Sequence, residues 1–188
     1  YKNSLLERLG SDNKLVRMLL SRARNNPKRV VFAEADQLDV LKAAQIAYEE
    51  GVAHPILLGR RDTILDLMKE IEFDADVPII DPKSDEELKR KNRYAKAYWE
   101  KRKRQGVTIY AAEKKMRERN YYAAMMVNEG DADALITGYS TSYPTVVKPM
   151  LELIGMADKV SRVATTNIKN TQRGPKFSSD HNNNTHPY

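Results

Sequence analysis

Short apolar runs alternate with longer amphipathic stretches along most of this chain. The apolar runs have strand character near 29–33, 55–58, 77–80, 134–137 and 160–166, and 176–178 is a further candidate. Helical patterns lie over 38–50, 63–71, 84–105, 108–128 and 144–154. Strand–helix alternation at this spacing predicts an α/β fold with one open, mostly parallel sheet and helices on both faces.

Several of the predicted helices have recognisable ends. Gly51 and Gly155 each follow a helical pattern and are suited to end it. Pro144 opens the pattern that Gly155 ends. Ser84, with Glu87 three residues later, has the form of a capping box and predicts the start of the longest helix.

Composition limits the classes of function. The chain has 188 residues, 41% of them hydrophobic and 31% charged, which is typical of a soluble globular protein. It contains no cysteine, so disulfides and thiolate chemistry are excluded. No apolar run approaches the ~20 residues of a membrane span, and we therefore expect a cytoplasmic protein without membrane contact. The net charge of +6 favours an anionic partner, either nucleic acid, anionic lipid or a small phosphorylated ligand.

Basic residues are dense between Lys89 and Arg119, where glutamates are mixed in among them. We interpret most of them as the solvated faces of helices. A nucleic-acid-binding surface is the less favoured alternative, because no recognised nucleic-acid motif accompanies the charge.

The most informative loop follows the predicted 134–137 strand. Ligands of open parallel sheets bind beyond the carboxyl ends of the strands, where this loop should lie. It contains Gly138, Ser140, Thr141 and Ser142 directly before a predicted helix. Hydroxyl groups beside the N–H groups of a helix N-terminus form a pocket for an anion such as phosphate. An equally weighted alternative is that Ser142 only caps the helix, without any ligand.

Other signals are weaker. Arg173 precedes a Gly-Pro turn and is a second candidate for a phosphate contact, with a plain surface turn as the alternative. The three histidines do not have the spacing of metal ligands, and the standard glycine-rich nucleotide fingerprints are absent.

Several collinear segments carry a resemblance to a known family, namely 26–34, 40–44, 55–60, 104–108 and 125–138. Together with Gly138-Tyr139-Ser140-Thr141-Ser142-Tyr143-Pro144, they resemble the phosphotransacetylase domain of hybrid NADP-dependent malic enzymes. The resemblance implies a phosphotransacetylase or isocitrate-dehydrogenase-like fold, truncated after roughly its first half. It divides the chain into a helical junction to a preceding domain over 1–27, a first α/β subdomain over 28–137, and the incomplete start of a second over 138–188.

The resemblance also implies a binding site for acyl-CoA and phosphate between two subdomains. It places Arg102 and Lys148 where the stand-alone acetyltransferases use arginines to hold phosphate and CoA. A lysine keeps the charge but lacks the two-pronged guanidinium. The residues that the family uses for acetyl transfer fall in the half that is missing here, so no catalytic residue is assigned.

These implications give three functional hypotheses. The favoured one is an acetyl-CoA-binding regulatory domain of an NADP-dependent malic enzyme that decarboxylates malate oxidatively to pyruvate. In it, NADP and the divalent metal belong only to the malic enzyme catalytic domain of the same chain, and the protein forms a homo-oligomer. The alternative is an active phosphate acetyltransferase, which converts acetyl-CoA and phosphate to acetyl phosphate and CoA. A nucleic-acid-binding module without enzymatic activity is the third.

Overall fold

The computed structural model describes residues 14–156, 165–171 and 174–180. One sheet contains four parallel strands, β1 (Lys28–Phe32), β2 (Ala53–Leu58), β3 (Ile79–Ile80) and β4 (Ala134–Ile136). Their order across the sheet is β3-β2-β1-β4. Val31 lies opposite both Ile56 and Leu135, so β1 is paired on each side. The predicted parallel sheet is confirmed for these four strands.

The helices fall where the amphipathic patterns indicate. They are α1 (Lys14–Asn25), α2 (Leu38–Glu49), α3 (Arg61–Glu70), α4 (Leu88–Arg102), α5 (Ile109–Lys115), α6 (Arg119–Asn128) and α7 (Tyr143–Leu153). A short 3₁₀ turn, Lys103–Gln105, continues α4. Within the described residues, no helix is both long enough and apolar enough to cross a membrane.

The start of α4 differs from the predicted capping box. The helix begins at Leu88, so Glu87 takes the position that was expected of Ser84. The carbonyl of Ser84 instead accepts a hydrogen bond from Nζ of Lys91 at 2.7 Å. The carboxylate of Glu87 accepts one from the hydroxyl of Tyr122 at 2.6 Å. The N–H of Ser84, which a capping box would pair with Glu87, donates instead to the carbonyl of Asp81 at 3.0 Å.

The helical pattern over 108–128 forms two helices rather than one. Oγ1 of Thr108 accepts a hydrogen bond from the N–H of Ala111 at 3.1 Å and caps α5. A turn at 116–118 then separates α5 from α6. Met116 in that turn is fully buried, which anchors the turn to the core.

The sheet separates two apolar layers, as the alternation of side chains along a strand requires. Val31, Ile56 and Leu58 point to one layer, where they meet α4, α5, α6 and α7. Phe32 and Leu57 point to the other layer, where they meet α2 and α3. Helices therefore cover both faces of the sheet, as predicted.

The structure corrects the prediction that 160–166 form a fifth strand of this sheet. Its residues 160–164 lie outside the described part of the chain, and 165–166 begin a strand that pairs elsewhere. This strand, β5 (Thr165–Thr171), pairs antiparallel with β6 (Gly174–Asp180), which contains the candidate 176–178. A connection of two residues permits an antiparallel pair, whereas a parallel pair needs a long crossover.

The sheet and α2 to α7 lie in one compact unit, Ala23–Gly155, which contains all the sites described below. Within it, the last turn of α7 contributes Leu153 to the core that α6 shares. The division of the chain into subdomains at 137 stays a prediction.

Candidate functional site at the carboxyl edge of the sheet

The loop after β4 surrounds a carboxylate. Oε1 of Glu34 accepts hydrogen bonds from the N–H of Gly138 at 2.8 Å and of Tyr139 at 3.0 Å. Oε2 accepts one from the N–H of Ser140 at 2.8 Å and another from the hydroxyl of Ser140. The loop therefore binds an anionic group. That group is the carboxylate of the chain's own Glu34, which accepts hydrogen bonds from the N–H groups of the loop.

Glu34 is held as a charged group. Only 1% of its surface is exposed, and this burial alone would raise the pKa of its carboxyl group. The hydrogen bonds from Ser140, Gly138 and Tyr139 outweigh burial and lower the pKa to about 2. Glu34 follows β1 and the loop follows β4, which are neighbours in the sheet, so the parallel pairing brings the two segments together. Glu34 follows a predicted strand and should therefore lie at this edge of the sheet, but the sequence contains no signal of its role.

A cavity of about 480 Å³ opens beside this loop. Its lining includes three basic side chains and three hydroxyl groups, from Lys115, Arg119, Lys148, Ser140, Thr141 and Thr145. We call this space the loop cavity. The basic residues come from α5, α6 and α7. The carboxylates of Glu34 and Glu118 also line the cavity, and both accept hydrogen bonds from the chain itself. The three cations exceed these two carboxylates, so the surface is suited to an anion.

The predicted site residues of the loop have different positions. Ser140 and Thr141 line the loop cavity. The N–H of Gly138 is bound to Glu34 and is not available to a ligand in this conformation. Ser142 occupies the N-cap position of α7, but its hydroxyl pairs with Oγ1 of Thr145 at 2.9 Å instead of accepting from the helix backbone. Side-chain capping by Ser142 is therefore not observed.

The two predicted cations, Arg102 and Lys148, meet at one carboxylate. Nη2 of Arg102 and Nζ of Lys148 both lie 4.0 Å from Oε1 of Glu152. The hydroxyls of Tyr98 and Tyr121 donate to Oε2 of Glu152 at 3.1 and 2.8 Å. Burial, followed by the charge of Glu152, raises the pKa of Tyr98 to about 12, so this phenol stays protonated. Lys148 faces the loop cavity, and Glu152 links it to Arg102.

Arg102 has an unsatisfied group. Its Nε is buried and has no hydrogen-bond partner among the described residues. A buried donor without a partner carries a free-energy cost, so the guanidinium has capacity for one further acceptor.

Arg119 is a site residue that the sequence interpretation missed. Its guanidinium donates two parallel hydrogen bonds of 2.8 Å each to the carboxylate of Asp36. These hydrogen bonds raise the pKa of Arg119. Arg119 lies inside the basic stretch that we interpreted as solvated. The signal available in the sequence was Asp36 itself, because it follows the predicted strand 29–33 and such loops lie at the same edge of the sheet.

Many cations of the basic stretch have internal partners. Arg90 pairs with Glu87 at 3.2 Å and Lys115 with Glu118 at 2.9 Å. Lys91 is buried, with 8% of its surface exposed. Much of the positive charge between Lys89 and Arg119 is thus engaged in contacts within the protein.

Two further candidates receive no structural role. Arg173 lies outside the described residues, and its phosphate contact stays a prediction. Within the described residues, no group of three or more histidine, aspartate or glutamate side chains could hold a metal ion.

The fold and the site define a class of protein. A model of the phosphate acetyl/butaryl transferase family matches residues 14–188, and the chain belongs to this family. The resemblance drawn from the sequence is therefore confirmed.

Individual relatives fall into two groups. The phosphate acetyltransferase of Thermoanaerobacterium thermosaccharolyticum is 30% identical over 143 residues, which are 76% of this chain and 42% of that protein. The NADP-dependent malic enzyme of Salmonella typhimurium is 31% identical over 185 residues, which are 96% of this chain and 24% of that protein.

A solved structure supports the fold. The phosphotransacetylase from Streptococcus pyogenes superimposes with a TM-score of 0.72 at 27% identity, covering 86% of this chain and 50% of that one. The chain thus spans half or less of the length of each of these three relatives.

Proposed function

We propose that this chain is the phosphotransacetylase-type part of an NADP-dependent malic enzyme and that it binds acetyl-CoA as a regulatory ligand. The loop cavity carries the proposal, because it places Lys115, Arg119 and Lys148 beside the hydroxyls of Ser140 and Thr141. Acetyl-CoA presents phosphate groups, which such a set of cations and hydroxyls recognises. The malic enzyme match extends over 96% of the chain, against 76% for the acetyltransferase, which supports a malic enzyme as the parent protein.

The proposal assigns distinct contacts to the site residues. Lys148 and Arg119 supply charge from two sides of the cavity. The hydroxyl of Ser140 is already donated to Glu34, so Thr141, whose hydroxyl lies 3.5 Å from Oε1 of Glu34, is the loop residue that donates to the ligand. Because Glu34 occupies the backbone N–H groups of the loop, phosphate contacts from the loop come from side chains. NADP, the divalent metal and malate decarboxylation belong to the malic enzyme catalytic domain of the parent protein, which also forms a homo-oligomer.

The first test is calorimetric titration of the intact protein with acetyl-CoA. Lys148→Ala should raise the Kd at least 10-fold, because losing a charged phosphate contact costs roughly 1.5–3 kcal/mol. Lys69→Ala is the matched control, since Lys69 has an 80% exposed side chain and, among the described residues, pairs only with Asp66 on the same helix. The absence of acetyl-CoA binding to the unmodified protein would end the proposal.

An activity measurement tests the regulatory part. Acetyl-CoA should change the rate of NADP-dependent malate decarboxylation by the intact protein, and Lys148→Ala should reduce that change without altering the rate in its absence. An unchanged rate at saturating acetyl-CoA would leave a binding domain without regulatory effect.

The second candidate is an active phosphate acetyltransferase. It is favoured by the 30% identity to an enzyme of that name. Transfer requires more accurate positioning of the reacting groups than binding does, and Lys148 lacks the paired donors of an arginine. We therefore expect little or no acetyl-CoA from acetyl phosphate and CoA. Rapid turnover in that assay would decide for the acetyltransferase.

A further inference from the structure

A larger cavity, of about 910 Å³, lies at the same edge of the sheet, beyond β2 and β3. Gly59 and Arg60 follow β2, Asp81 and Lys83 follow β3, and the segment from Tyr110 to Arg119 forms the remaining wall. None of Ser140, Thr141 and Lys148 lines it. We call it the β2–β3 cavity. It goes beyond the function proposed above, since acetyl-CoA was assigned to the loop cavity.

Unpaired positive charge distinguishes this cavity. Five basic and three acidic residues line it. The side chains of four of these basic residues have no ion-pair or hydrogen-bond partner among the described residues, namely Arg60, Lys83, Lys114 and Arg117. Elsewhere in the described basic stretch, many cations are engaged by carboxylates. Four unpaired cations around one concave space repel one another, and a bound polyanion would relieve that repulsion.

The acidic lining residues are largely engaged. Oδ1 of Asp81 accepts a hydrogen bond from the N–H of Lys83 at 2.8 Å. Glu118 is bound by Lys115 at 2.9 Å. Glu113 is the one lining carboxylate without such a partner among the described residues. The local balance of available charge is therefore positive.

One wall of the cavity is preorganised. Arg119 is fixed by its two hydrogen bonds to Asp36. Gly59 leaves room for Asp36, because a Cβ at that position would lie 3.3 Å from Cβ and Cγ of Asp36. A donor that is held in place loses little conformational freedom when a ligand binds.

The rim adds an aromatic surface. Tyr110 is 75% exposed although it is a large side chain, and it lies next to Lys114 on α5. An exposed aromatic ring beside cations is suited to stack on a nucleobase. The volume lies within the range of ~300–1,000 Å³ that is typical of small-molecule sites.

We propose that the β2–β3 cavity binds a polyphosphate anion, with the triphosphate of a nucleoside triphosphate as its natural form. Arg60, Lys83, Lys114 and Arg117 hold the phosphate groups, and Tyr110 contacts the base. An inorganic polyphosphate shares the phosphate chemistry, and the presence or absence of the base distinguishes the two sources.

The test is titration of the intact protein with ATP, with inorganic tripolyphosphate and with adenosine, followed by calorimetry. ATP should bind one per chain, and Lys114→Ala combined with Arg117→Ala should weaken it roughly 100-fold, about 10-fold per lost charged contact. Both residues are exposed, so the variant should fold. Lys42→Ala combined with Lys96→Ala removes the same charge from exposed positions outside the cavity and should change the Kd less than 3-fold, on the scale of screened surface charges.

Two comparisons identify the ligand and its location. Tyr110→Ala should weaken ATP but leave tripolyphosphate unchanged; equal affinity of both ligands for the unmodified protein would instead assign the cavity to inorganic polyphosphate. ATP should still bind at saturating acetyl-CoA and to the Lys148→Ala variant. The inference is overturned if neither polyphosphate binds, if both double variants weaken binding equally, or if acetyl-CoA displaces ATP. The first two outcomes leave the acetyl-CoA proposal intact, because Lys148→Ala and acetyl-CoA titration test it separately.

Discussion

Glu34 is the residue on which the geometry of the candidate site depends. It lies at the end of β1, and its carboxylate fixes the backbone of 138–140 through three N–H donors. Removing it would leave three backbone N–H groups of the loop without their acceptor, and unpaired donors carry a free-energy cost. Glu34 therefore positions Ser140 and Thr141 relative to the loop cavity without being one of the proposed ligand contacts.

The stability of the fold should consequently depend on the ionisation of Glu34. Its pKa falls from 4.5 to about 2 on folding, so its contribution is fully present above pH ~4.5 and is lost as the pH drops toward 2. Glu34→Gln should lower the free energy of unfolding at pH 7 on the order of 3 kcal/mol and flatten its dependence on pH in that acid range. Urea unfolding followed by circular dichroism at several pH values measures both effects.

Glu86→Gln is the control for this prediction. Glu86 is exposed and should leave the free energy of unfolding within about 0.5 kcal/mol of the unmodified protein. If Glu34→Gln behaves like this control, the hydrogen bonds to the loop do not contribute as described.

At the level of elements, α6 is the centre of the larger apolar layer. Tyr121 to Met126 are all buried. Tyr122 is fully buried, and its hydroxyl donates to Glu87 at the start of α4. This contact, made by the glutamate of the predicted capping box, thus ties the start of α4 to α6.

Replacing that hydroxyl gives an element-scale prediction. Tyr122→Phe leaves Glu87 without its shortest hydrogen bond and should lower the free energy of unfolding by about 1–3 kcal/mol. Tyr110→Phe, at an exposed ring, should have no measurable effect. Thermal unfolding of the two variants compares them directly, and equal melting temperatures would show that the Tyr122–Glu87 contact is energetically neutral.

The individual helices and strands also show which structural features a local sequence pattern can predict. The helix over 38–49 was predictable because its apolar spacing and Gly51 are local signals. The break between α5 and α6 was not, since it depends on the burial of Met116 against distant parts of the chain. The antiparallel pairing of β5 with β6 was also missed, although 176–178 was a strand candidate, because 165–171 shows little apolar alternation that would distinguish an antiparallel strand.

For the candidate site, the sequence predicted the edge of the sheet at which loop 138–142 lies, but not the side-chain contacts there. The position of loop 138–142 followed from the parallel topology, and Lys148 came from the family resemblance. Glu34 and Arg119 could not be assigned, because their partners lie about 100 and 83 residues away along the chain. Contacts at such separation depend on strand order, which a single sequence does not specify.

For the whole molecule, the exposed face of α7 suggests self-association. Tyr143, Leu151 and Ile154 have 57%, 45% and 50% of their surface exposed. Clustered exposed apolar side chains favour an interface.

We expect a dimer formed through this face, observed by light scattering of the intact protein at micromolar concentration. Leu151→Glu with Ile154→Glu should shift it toward monomer, whereas Tyr48→Glu, at another exposed apolar position, should not; a monomer in every case would exclude this interface.

Arg119 gives the two cavities a common boundary, since it lines both of them. Glu118 does so as well. A ligand that pulls this arginine away from Asp36 on one side changes the donor presented on the other. Occupancy of the two spaces would then be thermodynamically linked, and linkage is reciprocal: if ATP alters the affinity for acetyl-CoA by some factor, acetyl-CoA must alter the affinity for ATP by the same factor. One ion pair would thereby couple the binding of an energy carrier to that of an acyl carrier without either ligand displacing the other.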